Sequence, residues 1–148
     1  MTAGARRTRW VPCFAESQSM VGGWLIRTLL STPTTKLRES LIVQCHPLDQ
    51  AGEVITRNLV SYTAPLYAYV FATRSDGSMV DESQILGTRS ANARVLRDVY
   101  NSESAYFYFE ELCMRQAGYY TLQIGLYWRE VPGQPVATVW TESVYVHP

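Results

Sequence analysis

Lysine is almost absent from this sequence, whose 13 basic residues are twelve arginines and one lysine, Lys36. The 13 acidic residues balance them, so the formal net charge is zero at neutral pH. A neutral chain has no overall attraction for a polyanion, and nucleic-acid binding would need a local cluster of arginines. Arginine suits bidentate contacts to phosphate, although a codon bias produces the same excess over lysine.

Cysteine and histidine are also scarce. The three cysteines, Cys13, Cys45 and Cys113, are odd in number and far apart, which argues against a disulfide framework and favours a reducing compartment. The close pairs of a zinc site are missing, so no metal site is predicted. The two histidines are His46 and His147.

Catalytic motifs are missing as well. Serine, histidine and acid show no triad spacing, and there is no glycine-rich phosphate loop. Cys45 and His46 are adjacent, so on a strand their side chains point to opposite faces and do not act together. We therefore predict no catalytic residue, no cofactor and no enzyme activity.

No apolar run approaches the roughly 20 residues of a membrane helix, and no membrane association is expected. With 47% apolar and 18% charged residues, the 148-residue chain suits one globular domain. Residues 1–40 lack sustained periodicity and contain a Ser/Thr/Pro cluster at 31–35. We predict a flexible extension over 1–40 and a domain over 41–148.

Short runs rich in β-branched and aromatic residues dominate the rest of the chain, and helix is scarce outside 80–98. The runs are 41–45, 54–60, 66–72, 105–109, 119–127 and 136–146. The last one changes its inward face near Glu142-Ser143, which indicates a bulge or two consecutive strands. Strands without crossover helices predict an all-β, antiparallel β-sandwich. It is not of the antibody type, since no tryptophan lies between Cys45 and Cys113.

Rings occur on both faces of the predicted strands between 105 and 127. Phe107 and Phe109 share one face of their run, and Tyr106 and Tyr108 the other. One face is expected in a core, while the other keeps hydroxyl groups for water or a partner.

Several motifs in the second half of the chain resemble the velvet domain of fungal regulatory proteins. They are Leu86-Gly87-Thr88, Leu96 with Asp98, Phe109 with Leu112 and Arg115, and Gly118, Tyr120, Leu122 and Leu126. Gln44 and Pro47 match the family's first strand, and the resemblance covers about residues 41–146. It implies an immunoglobulin-like sandwich similar to Rel-homology domains, nuclear residence, and dimers between velvet proteins. It also implies binding to double-stranded DNA that controls sporulation, development and secondary metabolism.

The family's basic loop corresponds to ITRNLVSYTAP, where Arg57 matches one arginine and Asn58 replaces another. The predicted DNA-contacting residues are Arg57, Arg89, Arg94 and Arg97. The alternative is a solvated loop in which Asp81, Glu82 and Asp98 neutralise these arginines. A velvet-like module that binds only protein partners therefore stays open.

Tyr106, Tyr108 and Tyr119 are the rings predicted to contact a partner, because aromatic residues dominate interface energetics. A third interpretation is an unrelated sandwich that binds a sugar or another small ligand. It predicts a pocket lined by Trp128 or Trp140.

Overall fold

A computed structural model of the protein describes residues 17–21, 23–31, 38–141 and 143–146. The strands in these ranges are β1 (Ser17–Val21), β2 (Trp24–Ser31), β3 (Arg38–Pro47), β4 (Leu66–Arg74), β5 (Ile85–Leu86), β6 (Ser90–Asn92), β7 (Arg94–Arg97), β8 (Glu103–Met114), β9 (Gly118–Trp128), β10 (Val131–Trp140) and β11 (Val144–Val146). One short helix, α1 (Leu59–Thr63), precedes β4, and a 3-10 turn, Glu82–Gln84, precedes β5. Within the described ranges, no helix has the length and apolar character needed to cross a membrane.

The strands form two sheets. The first has the order β1-β2-β3-β8-β5, with β7 also paired to β8. The second has the order β10-β9-β4-β6, with β11 also paired to β9. All these pairings are antiparallel. The predicted all-β, antiparallel sandwich is confirmed.

Alternation along each strand decides which side chains enter the core. On β8, Phe107 and Phe109 are fully buried, whereas Tyr106 and Tyr108 point outward and are half-buried. Both sheets contribute side chains to one continuous buried cluster. Burying one phenylalanine stabilises the fold by about 1.5–3 kcal/mol, so the two rings of β8 hold the sheets together.

Residues before Leu41 also belong to the first sheet. β2 pairs with β3 along its whole length, and Trp24 and Ile26 are buried in the core. The predicted extension is therefore corrected over 17–21 and 23–31, because β3 takes its second hydrogen-bonding partner from β2. The rest of the predicted extension before β3 lies outside the described residues.

The run 54–60 was predicted as a strand, and that prediction is wrong. Val54 forms only an isolated bridge, and Asn58 adopts a left-handed conformation with φ 60°. The helix α1 starts directly afterwards, and it buries Leu59 and Thr63. These two residues lie one helical turn apart, so a helical contact with the core replaces the alternation of a strand.

The last predicted run, 136–146, belongs to two strands. β10 and β11 both pair with β9. Between them, the buried Thr141 accepts a hydrogen bond from the N–H of Leu122 at 3.0 Å. Of the two alternatives near Glu142-Ser143, the two-strand one is confirmed.

Gly87 lies close to the backbone of β8. Its φ is +89°, and a Cβ on this residue would lie 2.6 Å from the carbonyl carbon of Glu111. Glu111 itself has a positive φ of 54°, close to where the β3–β8 ladder shifts register. A residue without a side chain is needed here so that the chain can leave β8 and cross to the other sheet.

We expect Gly87→Ala to lower the free energy of unfolding by roughly 2–3 kcal/mol, because it combines positive-φ strain with a clash against backbone. Gly77→Ala is the matched control, since Gly77 has the same φ of +89° and nothing within 4 Å of the added methyl group. Urea unfolding of both variants measures the difference. Equal losses would mean that the clash with Glu111 contributes nothing.

Candidate interaction surfaces

A column of stacked side chains lies on the outer face of the first sheet. Tyr106 and Tyr108 have ring centroids 6.0 Å apart. The guanidinium carbon of Arg94, on β7, lies 4.8 Å from the centroid of Tyr108. Gln44, on β3, donates to the Tyr106 hydroxyl at 3.2 Å and accepts from Arg27 at 3.2 Å. Contacts within the protein thus already engage the two rings that were predicted to meet a partner.

Two of the four arginines predicted to contact DNA are paired with carboxylates. Arg89 Nη1 lies 3.1 Å from Glu82 Oε1, and Arg97 Nε lies 3.0 Å from Glu103 Oε2. Glu82 is one of the acids named in the solvated-loop alternative. These pairs partly cancel the positive charge that the arginines would offer to phosphate.

The four arginines do not lie together. Arg97 lies beside the start of β8, and Arg94 lies over the ring of Tyr108 on the same strand. The Arg89 carbonyl instead accepts from the Val70 N–H of β4, in the second sheet, at 3.0 Å. The structure therefore does not gather these residues in one compact patch.

Arg57 belongs to the loop before α1, and Glu103 holds this loop in place. The Glu103 N–H donates to the Thr56 carbonyl at 2.8 Å, and its Oε1 accepts from the Leu59 N–H at 3.0 Å. The Glu103 side chain is only 11% exposed. The Leu59 hydrogen bond, followed by the contact with Arg97, holds the pKa of the Glu103 carboxyl below its usual value, although burial acts in the opposite direction.

Arg57 and Arg94 form no ion pair within the part of the chain that the structure describes. Both are exposed, and Arg94 is in addition oriented by the ring of Tyr108. They are the two predicted DNA-contacting arginines whose guanidinium groups remain available to an anion.

The outer face of the second sheet is rich in rings. The rings at its outward positions, among the described residues, are Tyr67, Tyr69, Phe71, Tyr119, Tyr127, Trp140 and Tyr145. In the same ranges, no outward position of β4, β9, β10 or β11 has a charged side chain. Charged groups border this face near β6, where Glu82 accepts from the Tyr69 hydroxyl at 3.1 Å and Arg129 donates to Asn92. A broad aromatic face of this kind is unusual on a solvent-exposed sheet and is typical of an interaction surface.

The rings of this face are packed against one another. Tyr67 and Tyr127 stack with centroids 5.4 Å apart, and Tyr69 lies 5.0 Å from Phe71. A Cβ on Gly125 would lie 2.6 Å from the Tyr127 ring, so this ring lies directly over the glycine. The alternation of LYAYVFA at 66–72 puts three of these rings on one face, and this is the sequence signal from which the surface could have been predicted.

Tyr119 lies on this second face, opposite to the face of Tyr106 and Tyr108. It is 60% exposed and contacts Tyr145 at a centroid distance of 4.8 Å. Because the two outer faces lie on opposite sides of the core, the three predicted rings do not form one surface. Trp140, which is 49% exposed, joins Tyr119 on the second face.

The structure brings no metal cluster together from the histidine, cysteine and acidic residues in its described ranges. Cys45 is buried, and burial raises the pKa of its thiol to about 12, so it stays protonated. His46 donates to or accepts from the Ser104 hydroxyl at 3.0 Å on the outer face of the first sheet. Burial, partly offset by a backbone hydrogen bond, lowers the pKa of His46.

The velvet factor family model matches residues 32–147, which includes β3 to β11. The chain belongs to the velvet factor family. The resemblance of residues 41–146 is thereby confirmed, and the family is a regulatory one. The match starts ahead of β3, nine positions before the domain start that was predicted at Leu41.

This velvet protein is also similar to solved structures of FetP from uropathogenic Escherichia coli strain F11. The protein as isolated is 11% identical, with a TM-score of 0.44 over 89% of this chain and 92% of that chain. A copper-bound variant is 10% identical, with a TM-score of 0.46 over 89% of this chain and 95% of that chain. Sequence identities and TM-scores this low support no conclusion about the function of this chain. A search of curated proteins finds no match.

Glu103→Gln is expected to destabilise the velvet protein at neutral pH, because glutamine keeps an acceptor for Leu59 but loses the charge that pairs with Arg97. Since the folded pKa lies below the reference value of 4.5, the carboxylate stabilises the fold above that pH. This contribution is lost as the pH falls through the folded pKa. Urea unfolding across this pH range should show the two proteins converging.

Glu130→Gln, at an exposed turn, is the control for that experiment. A difference between wild type and Glu103→Gln that stays constant down to acid pH would show that packing, and not charge, accounts for the effect.

Proposed function

We propose that this velvet protein is a nuclear regulator of transcription that acts by pairing with a second velvet protein. Its processes would be those implied by the family resemblance, namely development, sporulation and secondary metabolism. In this proposal, the outer face of the second sheet meets the partner, and Arg57 and Arg94 contact the DNA backbone.

The ring-rich face of the second sheet, whose main strands carry no outward charge in the described ranges, is the observation that supports pairing most strongly. Aromatic residues contribute most of the binding energy at protein interfaces, and charged residues are depleted from interface centres. Gln123 lies near the middle of this face, in register with Phe71 on β4 and Trp140 on β10. A partner that covers this centre would bury rings from three adjacent strands at once.

DNA contact has weaker support. Arg89 and Arg97 would have to leave their carboxylates, so the available contacts are those of Arg57 and Arg94. Each phosphate contact adds about 0.9 to the slope of log affinity against log salt, so two contacts predict weak binding by one chain. A pair of chains has two sets of phosphate contacts, and binding of the first set raises the effective concentration of the second set at the DNA.

The ion pairs of Arg89 and Arg97 favour a second candidate function, a velvet module that binds only protein partners. It shares the pairing surface with the first proposal and differs only in DNA contact.

Gln123→Arg should weaken pairing at least tenfold, about 1.4 kcal/mol, because an arginine would be desolvated among rings. Sedimentation of the whole chain, alone and mixed with a velvet protein from the same organism, measures the effect. Gln50→Arg, the same change in an exposed turn, should leave association unchanged. If Gln123→Arg pairs as well as wild type, this face is not the interface.

Fluorescence anisotropy of labelled duplex DNA at several salt concentrations tests the second part of the proposal. Arg57→Gln and Arg94→Gln should each weaken binding and reduce the salt slope by about 0.9. Arg115→Gln, an exposed arginine beyond the end of β8, is the control. If neither the chain nor its complex with the partner binds DNA, DNA contact is ruled out, and the second candidate function, a velvet module that binds only protein partners, is favoured.

A further inference from the structure

The edge of β8 that faces away from β3 has a gap in its pairing. β7 pairs with β8 from Glu103 to Tyr106, and β5 pairs with it at Cys113 and Met114. Between these two pairings, the chain turns away as β6 and pairs with β4 of the other sheet. In the described part of the structure, Tyr108 therefore has no strand opposite it on this side.

A cavity of about 300 Å³ lies at this gap. Its lining comes from Thr88 and residues 90–94 on one side, and from Tyr108 and Glu110 on the other. Hydroxyl, amide and charged groups outnumber apolar ones in this lining. The volume is at the lower end for ligand sites, which suits a small polar molecule.

The backbone of Tyr108 adds a donor and an acceptor to the cavity. Alternate residues of a strand direct their N–H and C=O groups to the same edge. The Glu110 carbonyl accepts from the Thr88 N–H at this edge, at 3.1 Å, so the Tyr108 groups point the same way. The strand pairings among the described residues leave both Tyr108 groups without a ladder partner on this side.

Two opposite charges line the cavity without pairing with each other. The Arg94 guanidinium is held over the Tyr108 ring, and Glu110, two positions further along β8, also lines the cavity. No ion pair joins Arg94 to Glu110 or to another acid in the described ranges. An anion alone would be attracted by one group and repelled by the other.

We propose that this cavity binds a zwitterion of the dipeptide class. Its carboxylate pairs with Arg94, its ammonium group pairs with Glu110, and a peptide amide between them bonds to the Tyr108 backbone in the manner of an added strand. The hydroxyl groups of Thr88 and Ser90 complete the polar surroundings. The two charged residues of this site belong to the first sheet, whereas its β6 wall belongs to the second sheet beside the pairing face.

Glycylglycine is the probe for the test, which follows the backbone amide NMR signals of the whole chain during titration. We expect saturable shifts concentrated at Tyr108, Ala91 and Ala93. N-acetylglycine lacks the ammonium group and glycinamide lacks the carboxylate, so each should bind at least tenfold more weakly. Equal binding of the three compounds, shifts spread over the whole surface, or no saturable shift would overturn the proposal.

Variants check the two charges separately. Arg94→Gln and Glu110→Gln should each weaken glycylglycine binding at least tenfold, whereas Glu130→Gln should not. The three positions are exposed, so the variants are expected to fold, and their NMR spectra report this directly. Unchanged binding in both Arg94→Gln and Glu110→Gln would also overturn the proposal.

Glu110→Gln separates this inference from DNA binding. It removes a negative charge beside Arg94, so it weakens zwitterion binding but does not weaken contact with phosphate. Either proposal can therefore fail while the other stands.

Discussion

Burial of Phe107 and Phe109 beneath the second sheet is the interaction on which the rest of the structure depends. The two rings set the inward face of β8, so alternation places Tyr106 and Tyr108 outside. β8 pairs with β3, β5 and β7 and is the strand that organises the first sheet. Glu103, at the start of β8, holds the loop before α1. Near the end of β8, the backbone of Glu111 leaves room only for a glycine at position 87.

The two outer faces of the sandwich differ in chemistry. The first carries Arg27, Arg94, His46 and Glu110 among its rings, and many of its polar groups bond to one another. The second carries packed rings and no outward charge on its main strands in the described ranges. Because a charged group costs more to desolvate than a ring, we propose protein pairing at the second face and the binding of small or charged ligands beside the first.

Much of the fold could be predicted because alternating burial leaves a clear trace in 66–72, 105–109 and 119–127. The strands before Leu41 could not, since β1 and β2 lie in a segment without sustained periodicity. The run 54–60 was misassigned because a left-handed Asn58 and a buried helical contact replace the strand there. Of the candidate site, the arginines and tyrosines were named from the sequence, but their partners were not, since ion pairs such as Arg89 with Glu82 depend on where loops fold back.

The sequence by itself determined the sheet class, the velvet family and the set of chemically capable residues, because period and motif spacing are local properties. Only the tertiary structure decided which of those residues are available. It divided the three predicted rings between opposite faces, paired Arg89 and Arg97 with carboxylates, and left Arg94 and Glu110 at one cavity without an ion pair to any described residue. The physical reason is that pairing and burial are set by strand register and by the crossing of 87–93 between sheets, which bring together groups distant in sequence.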